Sequence, residues 1–366
     1  MRVALTVEQS WAAVPGGTAV ATIGLADALT RRGDINVIGV AARHGRPAPD
    51  PWKVPVPVRH FWLPARVLFE SWHKLRRPVV ERATGPVDVV HGTIVAVPPS
   101  DAPLVLTIHD LAFLAHPDHF TDRGNRFFRR ALDLALRNAR LITCPSNATI
   151  RACVAAGFEL DRLRLVPWGV RTETPSTLER GLVRKRYGLD HPYVLFSGTV
   201  EPRKNLLRVL AAYRDLDIPG LDLVIAGPRG WREDIEEPLR ALGARARWLG
   251  FVPTADLASL YADATVTVYP SLEEGFGFPV LEAMAHGTPV VTSAGTATEE
   301  IAGDAALLVD PLDTGAIAQA IERVVQDQEL ARRLGNAGRA RAARYTWGRT
   351  AELMTGIYAE VAGGSP

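Results

Sequence analysis

Tyr269-Pro-Ser-Leu-Glu-Glu-Gly-Phe-Gly-Phe-Pro-Val-Leu-Glu-Ala-Met-Ala-His-Gly287 does not read as one helix, because Gly275, Gly277 and Pro279 interrupt any continuous run between Glu274 and Glu282. It reads instead as a strand ending near Pro270, a glycine-rich loop, and a helix that starts on Pro279 and is capped by Gly287. A strand passing through a glycine turn into a helix is the repeating unit of a parallel α/β sheet. The turn also aims backbone N–H groups and the positive helix end at the strand's carboxyl edge, a seat for a phosphate. Glu274 precedes that seat, and Glu282 is expected in the first turn of the helix. Each carboxylate is able to accept hydrogen bonds from two neighbouring hydroxyls, as on a sugar or a ribose.

The same pattern extends outward on both sides. Short β-branched runs at Tyr193–Ser197, Asp222–Ala226, Ala246–Leu249, Val266–Tyr269, Pro289–Thr292 and Ala306–Val309 alternate with helix-compatible segments. Earlier in the chain, strands are expected at Val3–Val7, Asn36–Val40, Val87–His91, Leu104–His109, Leu141–Pro145 and Leu163–Pro167, with helices such as Thr18–Arg32 and Phe127–Asn138 between them. The polar stretch Arg171-Thr-Glu-Thr-Pro-Ser-Thr177 lacks apolar periodicity and marks the boundary. The expected fold class is therefore α/β, with two doubly wound Rossmann-like domains, 1–170 and 171–345, facing a cleft. A final helix within 346–366, at Thr346–Ala362, is expected to pack back on the first domain. Ligands of such sheets bind at the carboxyl ends of the strands.

Composition narrows the function. With 47% hydrophobic and 22% charged residues among 366, the chain is neither disordered nor fibrous. No run approaches the ~18 apolar residues of a membrane span, and the opening Met1-Arg-Val-Ala-Leu-Thr-Val-Glu8 reads as a strand rather than a signal peptide. A cytoplasmic location is therefore expected, and the two cysteines, Cys144 and Cys153, which make neither a disulfide framework nor a metal set, are expected as free thiols. Residues 1–170 hold 21 Lys and Arg against 14 Asp and Glu, the remainder 21 against 26. A basic first half suits an anionic surface or acceptor, although uneven solvation also explains it.

Further segments stand at strand ends and helix starts. Ser197-Gly-Thr-Val-Glu-Pro-Arg-Lys-Asn205 places Gly198 in a turn and sets Arg203 beside Lys204, charge-assisted donors for a diphosphate. Gly16 and Gly17, in Pro15-Gly-Gly-Thr18, permit close backbone approach to a ligand. His91 and His109 each close a strand, and either is also readable as structural. No His-x-x-x-His spacing occurs, so no metal site is expected. In His60-Phe-Trp-Leu-Pro-Ala-Arg-Val-Leu-Phe-Glu-Ser-Trp-His-Lys-Leu-Arg-Arg77, Trp62, Leu68, Phe69 and Trp72 lie among Arg66, Lys74, Arg76 and Arg77. That mixture suits an interfacial helix making a peripheral contact at the inner face of a membrane, or an amphipathic helix whose aromatics join the core.

Glu274 and Glu282 in E-x7-E spacing, with Gly198-Thr-Val-Glu-Pro-Arg-Lys-Asn205, Gly250-Phe-Val-Pro253, Pro289-Val-Val291 and Gly303-Asp-Ala-Ala-Leu-Leu-Val-Asp310, resemble a family-four retaining glycosyltransferase of the GT-B fold. Thr107-Ile-His-Asp110 and Glu201-Pro-Arg-Lys-Asn205 resemble its bacterial mannosyltransferase branch most. The resemblance implies a hexose, mannose from GDP-mannose, moved to a glycan, lipid-linked or small-molecule acceptor with retention, with no cofactor, metal or nucleic acid. It implies that Arg203 and Lys204 grip the diphosphate, Glu282 the ribose, and Glu274 with the backbone of Phe276, Gly277 and Phe278 the donor sugar. It implies further that His109 lies near the sugar, that Gly16 and Gly17 close over the phosphates, that Val252 and its neighbours meet the base, and that Gly198 and Leu281 complete the donor site. The chain departs from the family pattern at Val166-Pro-Trp-Gly-Val-Arg171, where Pro-Asn-Gly-Val-Asp is usual.

Leaving-group stabilisation by the cations and the helix end accounts for the chemistry better than an enzyme nucleophile, since no second carboxylate is evident for double displacement. A nucleotide-sugar epimerase of the same fold and a non-catalytic sugar-nucleotide sensor are the competing readings. A nicotinamide dehydrogenase is disfavoured, because no G-x-G-x-x-G follows the first strand.

Overall fold

The computed structural model describes residues 1–94 and 96–363. The chain forms two compact units, Met1–Gly169 together with the chain from Thr346 onward, and Val170–Tyr345.

In the first unit the strands are β1 (Arg2–Thr6), β2 (Asn36–Ala41), β3 (Val58–His60), β4 (Val89–Gly92), β5 (Leu104–Thr107), β6 (Leu141–Cys144) and β7 (Leu163–Leu165). They form one parallel sheet in the order β3-β2-β1-β4-β5-β6-β7. The central strands are buried throughout, and the polar residues among their apolar ones, His91, Thr107 and Thr143, are buried with them. β3 is absent from the sequence expectations: it is three residues long, follows Pro55 and Pro57, and lies at the sheet edge with two of its residues exposed, so it carries no alternating pattern. Cys144 and Cys153 are buried free thiols with sulfurs 3.8 Å apart.

The segment 60–77 takes the second of its two readings, the amphipathic helix whose aromatics join the core. Its helix is Ala65–Lys74, and Leu68 and Trp72 are fully buried, the Trp72 indole N–H donating to the Pro78 carbonyl at 3.0 Å. Phe69 packs beside Trp72 and Phe127, while Trp62, Val67 and Leu75 stay largely exposed. The aromatics complete the core under this edge of the unit. Among the described residues no helix is long and apolar enough to cross a membrane.

The helix Trp347–Gly363 belongs to this unit and packs on the helix Gly16–Arg32. Its Tyr358 hydroxyl bonds His91 Nδ1 at 2.7 Å, His91 Nε2 bonds Thr107 Oγ1 at 2.8 Å, and Thr107 Oγ1 bonds Thr143 Oγ1 at 2.7 Å. Burial pushes the His91 imidazole down to about 3, so it stays neutral inside a satisfied polar chain. His91 is thus a structural residue. Tyr358→Phe removes one partner and is expected to cost about 1–3 kcal/mol, read as a lower urea midpoint at unchanged slope. An unchanged midpoint would show that the chain contributes nothing to stability.

The second unit repeats the design with β8 (Tyr193–Ser197), β9 (Asp222–Ala226), β10 (Ala246–Gly250), β11 (Val266–Tyr269), β12 (Val290–Ser293) and β13 (Leu307–Val309). Its parallel order is β10-β9-β8-β11-β12-β13. The order reverses between β8 and β11, which makes the loops after these two strands the walls of the crevice at the switch point. Gly227, which follows β9, lies so close to the turn after β8 that a Cβ there would stand 1.9 Å from the Gly198 carbonyl oxygen. No side chain fits, whereas Gly198 itself has room for one.

Candidate active site

Arg203 and Lys204 lie on a 3-10 turn, Pro202–Lys204, in the loop after β8. Glu274 lies in the loop after β11; two backbone-directed bonds tie the two loops together, and a third reaches the loop after β13. Leu272 N–H donates to the Arg203 carbonyl at 2.9 Å, and the buried Asn205 amide donates to the carbonyls of Pro270 at 2.8 Å and Pro311 at 2.7 Å. Seventy residues of sequence separation thereby close into an ion-paired cluster. Lys204 Nζ donates to Glu274 Oε1, Tyr269 O–H donates to the same oxygen at 2.7 Å, and Arg203 Nη1 stands 3.5 Å from Glu274 Oε2. Arg203 also pairs with the buried Glu201 at 3.0 Å and donates to the Glu273 carbonyl at 3.1 Å.

The electrostatics follow from this geometry. Burial alone would push the Glu274 carboxyl upward, but the Lys204 and Arg203 charges and the hydrogen bonds from Lys204 and Tyr269 outweigh it and hold the group at about 2. Glu274 is therefore a permanent anion that fixes the two cations. The sequence reading gave its oxygens to sugar hydroxyls; in this structure Oε1 serves Lys204 and Tyr269, and Oε2 faces Arg203. Glu201 and Tyr269, which complete the cluster, received no role from the sequence, because their partners become neighbours only through the sheet order.

The helix after the glycine loop is Phe278–His286, one residue longer at its start than expected, with Pro279 in its first turn and Gly287 left-handed at its end. Gly277 takes φ +105° and a Cβ there would meet Thr298 Cγ2 at 2.8 Å, so glycine alone permits this entry. Because the helix begins at Phe278, Glu282 falls in its second turn rather than its first. Glu282 Oε2 accepts from the fully buried Tyr261 hydroxyl at 3.1 Å, and burial pushes its carboxyl up to about 7. Phe276 is buried against Phe278 and Tyr345, and Leu281 is wholly buried, so the side chains of both serve packing. Val252 is buried beside the exposed Phe251 in the loop after β10.

In the first unit, Gly16 and Gly17 are exposed and open the helix Gly16–Arg32. His109 follows β5; its Nε2 bonds the Thr93 carbonyl at 3.0 Å and therefore carries the proton, leaving Nδ1 an acceptor. Burial lowers its pKa, which favours this neutral form. Its ring stacks on Trp168 at 5.7 Å, and Trp168 is buried against Trp347. The tryptophan that departs from the family pattern is the floor beneath His109. Among the described residues, one group of three metal-type ligands lies within reach of a single ion, His116, Asp118 and His119 of the first unit, and it includes none of the cationic cluster.

Comparison with known proteins agrees with this architecture. Residues 182–341 match the family Glycosyl transferases group 1, and residues 15–174 match Glycosyltransferase Family 4. O-antigen chain mannosyltransferase B of Escherichia coli is 34% identical over 270 residues, covering 71% of each chain. A D-inositol 3-phosphate glycosyltransferase of Acidothermus cellulolyticus is 35% identical over 278 residues, covering 70% of this chain and 61% of that one. The crystal structure of Anabaena HepE in complex with UDP-glucose superposes with a TM-score of 0.79 at 19% identity, over 98% of this chain and all of the other. The chain belongs to the family-four glycosyltransferases and has the GT-B fold.

Proposed function

We propose that this enzyme transfers a hexose, with mannose from GDP-mannose as the favoured donor, to a hydroxylated acceptor with retention of configuration and without a metal. The observation that carries the reading is the cluster of Arg203 and Lys204, held by Glu201 and Glu274 at the switch point of the second sheet. Cleavage of the sugar–diphosphate bond develops negative charge on the leaving phosphate. The two cations and the positive end of the helix Phe278–His286 are fixed before the reaction, which is how such charge is stabilised at least reorganisation. Glu282 is assigned to the ribose hydroxyls and His109 to the donor sugar, both on the family resemblance. Similarity to the O-antigen mannosyltransferase supports mannose, and similarity to the inositol-phosphate enzyme leaves the acceptor class wider.

Thermal unfolding with GDP-mannose, GDP-glucose, UDP-glucose and UDP-galactose tests the donor, because a ligand that binds only the native protein raises its midpoint by mass action. GDP-mannose is expected to give the largest shift; a larger one with a uridine nucleotide would reassign the base. Transfer is expected to persist in chelator without added Mg²⁺ or Mn²⁺, and the anomeric coupling of the product to match that of the donor sugar. Loss of activity in chelator with recovery on adding metal would refute the cationic mechanism.

A further inference from the structure

Three adjacent strands of the first sheet deliver aromatic and acidic side chains to one place on its carboxyl edge. Glu8 and Trp11 lie on the 3-10 turn after β1, His44 follows β2, and His60 ends β3. The Trp11 indole is clamped: its N–H donates to the Arg46 carbonyl at 2.9 Å, His44 stacks on it at 4.4 Å and 7°, and His60 meets it edge-on at 5.5 Å. Glu8 accepts from the Ala42 N–H at 2.8 Å and from His44 Nε2 at 2.9 Å. His60 Nδ1 donates to the Ala42 carbonyl at 2.8 Å.

These bonds fix the tautomers. In the neutral rings Glu8 holds the proton of His44 on Nε2, and the Ala42 carbonyl holds that of His60 on Nδ1, which makes His44 Nδ1 and His60 Nε2 acceptors. His44 covers one face of the indole, so the opposite face, with the oriented His60 acceptor at its edge, is the chemistry that receives a pyranose: the sugar's C–H face lies on the aromatic ring, and a hydroxyl donates to His60 Nε2. Packing alone gives no reason for His60 to stay exposed while its ring orientation is fixed. We propose that Trp11, His44 and His60, braced by Glu8, form the subsite for a sugar ring of the acceptor. The proposal rests on the glycosyltransferase reading for the word acceptor, and on the geometry of this edge for the sugar.

Saturation-transfer NMR on the full chain tests it, using methyl α-D-mannopyranoside, methyl α-D-glucopyranoside and methyl α-D-galactopyranoside, with GDP and UDP added to occupy the donor side. Saturation transfer to at least one glycoside is expected in the wild type. It should be lost in Trp11→Ala, kept in Trp11→Phe, and weakened about tenfold in affinity in His60→Ala, whose exposed side chain leaves the fold unaffected. Nucleotide affinity, measured by calorimetry on the same samples, should be equal in all four proteins. No transfer to any glycoside, or equal transfer in wild type and Trp11→Ala, overturns the subsite. Nucleotide binding without glycoside binding would leave the donor reading standing, and glycoside binding at Trp11 without nucleotide binding would do the reverse.

Discussion

Lys204→Ala is expected to lower kcat by about 10²–10³, the usual cost of removing one preorganised donor to a developing anion. The ion pairing adds a second consequence. Lys204 and Glu274 are nearly buried, with side chains 12% and 9% exposed, so removing either leaves an incompletely compensated charge. Both Lys204→Ala and Glu274→Ala are therefore expected to destabilise the protein, by up to about 3–5 kcal/mol where Arg203 fails to compensate. Stability and catalysis separate in the double variant Lys204→Ala/Glu274→Ala. Removing both charges relieves the unpaired one, so the double variant should be more stable than the sum of the single losses predicts while remaining as inactive as either. Steady-state kinetics beside urea titration of the four proteins read both quantities. A double variant that regained turnover along with stability would mean that the pair only supports the fold.

The second unit was the more legible half, for a physical reason. Its strands are short, apolar and bounded by glycine, proline or serine, and each expected segment overlaps an observed one. The glycine loop at 275–277 was readable because only glycine enters the helix Phe278–His286 at the φ of Gly277. Pairings were not readable. Asn205 holds Pro270 and Pro311, 65 and 106 residues away, and His91 depends on Tyr358, 267 residues away. Only the sheet order and the packing of the last helix create such contacts. For the same reason Trp168 looked like a departure from the family in the sequence and turned out to be the ring beneath His109. Nothing in the sequence distinguishes Gly227 and Gly230 from Gly198, yet the contact between the turns after β8 and β9 makes these two the positions that admit no side chain.

Glu282→Gln is expected to make the free protein more stable in mild alkali while weakening its hold on the nucleotide. Burial raises the Glu282 carboxyl from 4.5 to about 7. A group whose folded pKa lies above its unfolded value contributes its full stability below the unfolded value and loses it as pH rises through the folded one. The loss from this residue therefore falls between about pH 4.5 and 7, and is on the order of 2–3 kcal/mol. Glutamine keeps an oxygen for the Tyr261 hydroxyl and carries no charge, so variant and wild type should coincide below about pH 4 and diverge, in the variant's favour, by pH 8. The difference between the two proteins is the quantity to measure, because Glu233, pushed up to about 7 by burial and by Glu201, titrates in the same window in both. Binding runs the other way. On the proposed role, an ionised carboxylate accepting from both ribose hydroxyls contributes about 1.5–3 kcal/mol each, so donor affinity in the wild type should rise through pH 7, whereas the variant should bind about 10- to 100-fold more weakly at pH 8 with little pH dependence. Calorimetric titration of GDP at pH 5, 6.5 and 8 reads this directly. Equal affinities at pH 8 would remove Glu282 from the nucleotide site, and a stability difference that did not grow with pH would mean that its carboxylate is solvated rather than buried.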